Sequence, residues 1–174
     1  MMKPTGNSRE PTSKLPVLTI TVMAKNAANP KMLGGGGVDG AIHKAAGPKL
    51  LEACRKVKST NGIRCPVGES RITTAGQLKS NFVVHTVGPR YQFDEDPQNK
   101  LAASYHSALQ LAIDNGCSSI AFPAISCGAY GYPLNEAAKI AITQCKLPEF
   151  ASLQISFYLY GKNTYQAWEQ ALNK

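Results

Sequence analysis

NFVVHTVGPRYQFDEDPQNKLAASYHSALQLAIDNGCSSIAFPA, residues 81–124, is the stretch on which the fold turns. It opens on a β-branched apolar run, 81–87, stopped by Gly88 and Pro89, a composition that fits a strand and the residues that end one. The segment 91–100, YQFDEDPQNK, reads as a polar crossing loop. Leu101, Tyr105, Ala108, Leu109, Ala112 and Ile113 then recur at helical spacing, and Gly116 stands where a helix would end. SIAFPA, residues 119–124, returns to strand. Strand, helix and strand in this order form the unit from which parallel sheets are built.

The same alternation continues in both directions. Upstream, residues 17–23 (VLTITVM) are continuously apolar apart from threonine, as expected of a strand covered on both faces. Helices are expected over 38–46 and from 49 to about 57, separated by Gly47 and Pro48, with a short strand at 71–75. Downstream, a helix is expected over 134–145, a strand over 153–160 and a last helix over 164–172. The fold class is therefore α/β, a three-layer α/β/α sandwich around a mixed, largely parallel sheet. Residues 1–16, with Pro4, Pro11 and Pro16 among polar neighbours, read as a flexible or loosely docked leader, and 17–174 as one domain.

Composition narrows the function classes. Lysine plus arginine is 19 against 11 acidic residues, and the excess is uneven: residues 1–90 hold 14 basic and 4 acidic side chains, net +10, and residues 91–174 hold 5 and 7, net −2. Such a field favours anionic partners, a phosphorylated small molecule, nucleic acid or an acidic protein, without choosing among them, and also fits a surface kept basic for solubility. Cys54, Cys65, Cys117, Cys127 and Cys145 form no C-x-x-C pair and have no histidine at zinc-finger spacing, so reduced thiols are expected and neither a zinc site nor a disulfide framework. No motif calls for a metal or a cofactor. The absence of an 18-residue apolar run and of a signal-peptide segment makes a cytoplasmic, membrane-free setting the expectation.

Two glycine-bearing loops each follow a strand and precede a helix, the positions at which ligands meet open α/β sheets. Gly34, Gly35, Gly36 and Gly37 carry no β-carbons, and Val38, Asp39 and Gly40 open the helix behind them. Unpaired amides with a partial positive charge there suit a phosphate or diphosphate. The dinucleotide pattern is met literally at Gly35, Gly37 and Gly40, but the stretch NAANPKML, residues 26–33, intervenes between the strand and these glycines, and no acidic residue follows at the ribose-binding distance. No Gly-Lys-Ser/Thr follows, which excludes a P-loop. The second loop, Ser126, Cys127, Gly128, Ala129, Tyr130, Gly131, Tyr132 and Pro133, offers amides to a second phosphate and tyrosines to cover a sugar. Taken alone it equally fits a tight turn with core tyrosines.

Four stretches in order carry a resemblance: Asn26-Ala27-Ala28-Asn29-Pro30; Leu33 through Gly47 (LGGGGVDGAIHKAAG); Val84-His85-Thr86-Val87-Gly88-Pro89; and Phe122-Pro123-Ala124-Ile125-Ser126. Together, over about residues 22–172, the chain resembles the macro domain family, and within it the MacroD-like, bacterial O-acetyl-ADP-ribose deacetylase branch. The resemblance implies ADP-ribose in a cleft at the strand ends. Gly35, Gly36, Gly37 and Val38 would cradle one side of its diphosphate, and Ser126, Cys127, Gly128, Ala129 and Tyr130 would close over the other. Asn29, with Asn26 beside it in the motif, would hold the terminal ribose, and Asp39 would be the catalytic acid residue. The implied reaction is hydrolysis at that ribose, releasing acetate from O-acetyl-ADP-ribose or an ester-linked acidic side chain from mono-ADP-ribosylated protein.

The residues are compatible with that chemistry. Ester hydrolysis needs an activated water, fixed hydroxyls and a place for developing negative charge. Asp39 fits the first need and also fits a first-turn carboxylate stabilising the helix dipole, although beside a diphosphate a mere cap would be repelled. His43 and His85 read as packing histidines and Cys127 as a small loop residue. The chain departs from the family at its start: Lys14-Leu15-Pro16 stands where a Gly-Asp-Ile strand would supply an adenine-binding Asp, and no Asp precedes Asp39. Either that contact is absent or Glu10 and the leader replace it. Tyr160 falls where the family often sets an aromatic against adenine, and would serve equally as a strand-end tyrosine. The alternatives to an enzyme are a module that binds ADP-ribose without turning it over and, less well supported, an RNA-binding protein. A monomer is expected.

Overall fold

The computed structural model describes residues 17–22, as backbone, and residues 30–173. The expected leader, 1–16, lies outside the described residues. Among the described residues five strands form one sheet: β1 Val17–Val22, β2 Ser70–Thr74, β3 Phe82–Thr86, β4 Ser119–Phe122 and β5 Gln154–Phe157, in the order β2-β3-β1-β4-β5. β1 lies at the centre, parallel to β3 (Ile20 opposite Val84) and to β4 (Leu18 opposite Ile120). β5 continues the parallel set and β2 runs antiparallel along β3. The sheet is thus mixed and largely parallel.

Helices cover both faces. α1 Gly37–Ala46 and α2 Pro48–Lys56 pack on one side; α3 Pro97–Asp114, α4 Leu134–Cys145 and α5 Lys162–Leu172 lie on the other. The period of two in β3 shows why both layers are needed. Val83 points into the core with Leu50 and Ala46, and its neighbour Val84 points into the opposite core with Tyr105, Phe122 and Phe150. Gly47 joins α1 to α2 with φ at 70°, a conformation a β-carbon resists, and Pro48 then presets the first turn of α2. No helix among the described residues is long and apolar enough to cross a membrane.

Two boundaries and one additional turn differ from the sequence reading for identifiable reasons. α3 begins at Pro97, inside the expected crossing loop, because Asp96 caps it, accepting from the Asn99 amide, and Pro97 supplies N1. Its first turn is polar and solvent-facing, so apolar spacing does not register it. β5 stops at Phe157 and not near 160, since its partner β4 ends at Phe122 before Pro123, and Phe122 is opposite Phe157. A single 3-10 turn, Pro148–Phe150, buries Phe150 against α3 and was not anticipated.

Candidate active site at the carboxyl ends of β1 and β4

Chain order puts the two glycine loops together. From β1 the chain moves to β2 and β3 on one side of the sheet, and from β3 it crosses by α3 to β4 on the other. β1 and β4 are therefore hydrogen-bonded parallel neighbours, and the helices that come after them in the chain, α1 and α4, lie on opposite faces of the sheet. That is the topological switch point at which ligands enter such sheets. The loop after β3 reaches the same place: Gly88 lies against Ser126 and Ile125, so close that a β-carbon there would collide with the Ser126 hydroxyl.

The first loop ends in α1. Gly36 is the N-cap residue and offers no side chain to the first turn, whose amides have no intrahelical acceptor. Gly40 holds the loop down on the helix; a β-carbon there would come within 2.5 Å of the Gly35 carbonyl oxygen. Gly34, with φ at 83°, lies over the His43 ring at 3.7–3.9 Å from where its β-carbon would be. Gly35 and Gly37 are exposed, Gly36 is half-buried and Val38 is 42% exposed. A row of accessible backbone at a helix N-terminus can take up an anion.

Asp39 is 0% exposed, and neither carboxylate oxygen has a hydrogen-bond partner among the described residues. Burial raises its pKa from 3.8 to about 6. One turn on, His43 Nε2 stands 3.5 Å from Asp39 Oδ1, also without a hydrogen bond among the described residues, and burial lowers the pKa of its imidazole. At neutral pH the pair is an ionised carboxylate beside a neutral histidine. His43 was read from the sequence as a hydrogen-bonded packing residue; its neighbour at i−4 was the available signal that the two groups share a helix face. His85 differs: its Nε2 is 2.9 Å from Thr73 Oγ1 and 3.6 Å from Cys54 Sγ, and burial takes it down to about 3.

The second loop is fastened from within the core. Tyr105, fully buried in α3, accepts the Ile125 amide on its hydroxyl at 3.3 Å. Ser126 adopts φ 62°, is buried, and keeps its hydroxyl without a partner among the described residues. The turn closes through Tyr132 N to Ser126 O and Gly131 N to Gly128 O, each 3.0 Å, while Tyr130 accepts from the Tyr91 amide. Gly128 and Ala129 are exposed at its tip, and Tyr130 is buried. The Cys127 thiol is half-buried, contacts the Ile125 carbonyl, and is pushed up to about 12 by burial, so it is a poor nucleophile.

Asn26 and Asn29 lie outside the described residues, as do residues 23–25. Tyr160 lies beyond β5 and is 98% exposed. Among the described residues no group of three or more His, Cys, Asp or Glu could hold a metal ion.

Comparison with known proteins agrees with this architecture. A macro domain profile matches residues 25–141. A macro domain-containing protein of Vibrio parahaemolyticus is 53% identical over 149 residues, covering 86% of this chain and 88% of its own length. An Escherichia coli K12 protein named O-acetyl-ADP-ribose deacetylase is 46% identical over 157 residues, covering 86% of each. Among solved structures, the Oceanobacillus iheyensis macrodomain with ADP is 42% identical with a TM-score of 0.80, over 92% of this chain and 84% of that one. The Trypanosoma brucei macrodomain in complex with ADP-ribose is 37% identical with a TM-score of 0.74, over 91% and 64%. By the profile match, by sequence identity and by fold, this chain belongs to the macro domain family.

Proposed function

We propose that the protein binds ADP-ribose across the ends of β1 and β4 and hydrolyses esters on its terminal ribose, O-acetyl-ADP-ribose first and ester-linked mono-ADP-ribose on acidic protein side chains second. One observation carries the reading: a buried carboxyl, Asp39, without a hydrogen-bond partner among the described residues and with its pKa raised to about 6, in the first turn of a helix that has no side-chain cap. Backbone at Gly35, Gly36, Gly37 and Val38 takes one phosphate, and the tip from Ser126 to Tyr130 takes the other. Asn29 and Asn26 hold the ribose hydroxyls, and Tyr160 is free to move onto the adenine.

Asp39 is then the general base. It takes a proton from water as the oxygen attacks the acyl carbonyl, and returns it to the ribose oxygen as the ester C–O bond breaks, leaving a carboxylic acid and ADP-ribose. A base with a pKa near 6 is mostly ionised at pH 7 yet gives its proton back readily. Neutral His43 flanks Oδ1 and restrains the carboxylate's orientation without neutralising it. Because Asp39 lies below the accessible surface, the glycine loop must shift enough to admit water and ribose.

Titration calorimetry with ADP-ribose beside a deacylation assay tests this. Asp39→Ala and Asn29→Ala are expected to keep ADP-ribose binding and lose well over tenfold in turnover; undiminished turnover in both overturns the assigned roles. The missing Asp upstream of Asp39 favours one other reading, an ADP-ribose-binding module, which binding without any product would support.

A further inference from the structure

We propose that the face formed by α2 and the outer side of β2 is a second anion-binding surface, separate from the cleft, that takes the phosphodiester backbone of a single-stranded nucleic acid. β2 is the terminal strand of the described sheet and pairs only with β3 there. Between it and α2 lies a hollow of about 500 Å³ walled by Lys49, Glu52, Lys56 and Thr74. Beside it lies a second hollow, about 650 Å³, walled by Lys58, Asn61, Arg64 and Arg71. Val57 lines both, so the two hollows are neighbours along one trough.

The trough is basic. Lys49, Glu52 and Lys56 recur at i, i+3 and i+7 on one face of α2, which sets the two lysines about 10 Å apart along the helix. Arg71 is occupied by Glu69 at 2.8 Å. Lys49, Lys56, Lys58 and Arg64 have no ion pair among the described residues, and Glu52 opposes them, leaving an excess of three positive charges. Here part of the uneven charge of the sequence is gathered: the Lys49 hollow lies at the Thr74 end of β2, opposite Phe82 at the start of β3, while at the other hollow Arg64 donates to the Lys31 carbonyl at the edge of the first loop.

Charge alone would also attract an acidic protein, and composition separates the two. Protein interfaces are depleted in lysine at their centres and anchored by aromatic residues. This trough has three lysines and no aromatic side chain. Protein–nucleic acid contacts, by contrast, are polar and strongly cationic. Two concave hollows in succession suit a flexible strand that dips into them better than a rigid duplex with its phosphates on a convex exterior. Without a stacking platform the surface reads backbone and not base.

The test uses the full chain with a fluorescein-labelled 20-nucleotide single-stranded RNA of mixed sequence, its DNA equivalent, the matching duplex and a poly-glutamate peptide, followed by anisotropy. Three or four phosphate contacts predict an affinity that falls about 20- to 50-fold between 50 and 200 mM salt. RNA and DNA single strands are expected to bind alike, more tightly than the duplex or the peptide, and saturating ADP-ribose is expected not to displace them. Lys56→Glu with Lys58→Glu is expected to cut affinity at least tenfold and flatten the salt dependence while leaving deacylation unchanged. Displacement by ADP-ribose would place the strand in the cleft and overturn the proposal. So would indifference to the charge reversals, equal or tighter binding of the duplex or poly-glutamate, or no binding at 50 mM salt.

Discussion

Asp39→Asn should remove the protein's activity and relieve the loss of stability that the parent suffers as pH rises from 4 to 7.5. The Asp39 carboxyl is wholly buried, lacks a hydrogen-bond partner among the described residues, and has its pKa raised from 3.8 to about 6 by desolvation. A carboxyl that holds its proton more tightly folded than unfolded gives a native state that binds more protons between about pH 4 and 6, so stability falls as pH rises through that window. Above it the ionised, unsolvated carboxylate costs about 3 kcal/mol. Asparagine keeps the shape and has no proton to lose. Its own buried amide costs about 1–3 kcal/mol if unpaired, at every pH, so the informative quantity is the change with pH. Urea denaturation at pH 4 and pH 7.5 should show the variant gaining about 2 kcal/mol on the parent between the two, with turnover down well over tenfold. A difference in stability that is the same at both pH values would refute the reasoning, because it would mean that Asp39 is not held ionised against a desolvation cost.

Further outcomes follow from other contacts. If ionised Asp39 is the base, kcat/KM should fall as pH drops through about 6, tenfold per pH unit below it, and a profile flat to pH 5 would contradict the assignment. Gly40→Ala drives a methyl toward the Gly35 carbonyl and should weaken ADP-ribose binding more than tenfold by calorimetry. Tyr105→Phe leaves the Ile125 amide without its acceptor and should cost about 1–3 kcal/mol in urea, with weaker ADP-ribose binding because the second loop loses its anchor. Phe150→Ala, in the core and away from the cleft, should cost about 3–5 kcal/mol and leave binding per folded molecule unchanged.

The fold was legible because its signals are local and repeated. The apolar run of β3, the helical spacing of Leu101 to Ile113 and the glycine at 116 each point to one element, and three-layer packing follows from their alternation. Where signals are polar or depend on a neighbour, the reading slipped. The start of α3 is set by an Asp-Pro cap with no apolar content, and the end of β5 is set by the end of its partner β4 at Phe122, just before Pro123. The two glycine loops and Asp39 could be singled out from residue types alone. The relation of His43 to Asp39 could not be decided so, since i,i+4 spacing puts two side chains on one face and says nothing about whether either finds a different partner. Burial decided it: the two groups stand 3.5 Å apart, and neither has a hydrogen-bond partner among the described residues. The basic trough was visible only as a charge imbalance, because Lys49, Lys58 and Arg71 belong to three different segments that folding brings to one edge.

The most direct test of the central claim is a crystal structure with ADP-ribose bound. The diphosphate should lie within hydrogen-bond distance of the backbone at Gly36 to Val38 on one side and Gly128 to Tyr130 on the other, with a terminal-ribose hydroxyl facing the Asp39 carboxylate. A diphosphate held away from the N-terminus of α1, or a terminal ribose turned from Asp39, would contradict it.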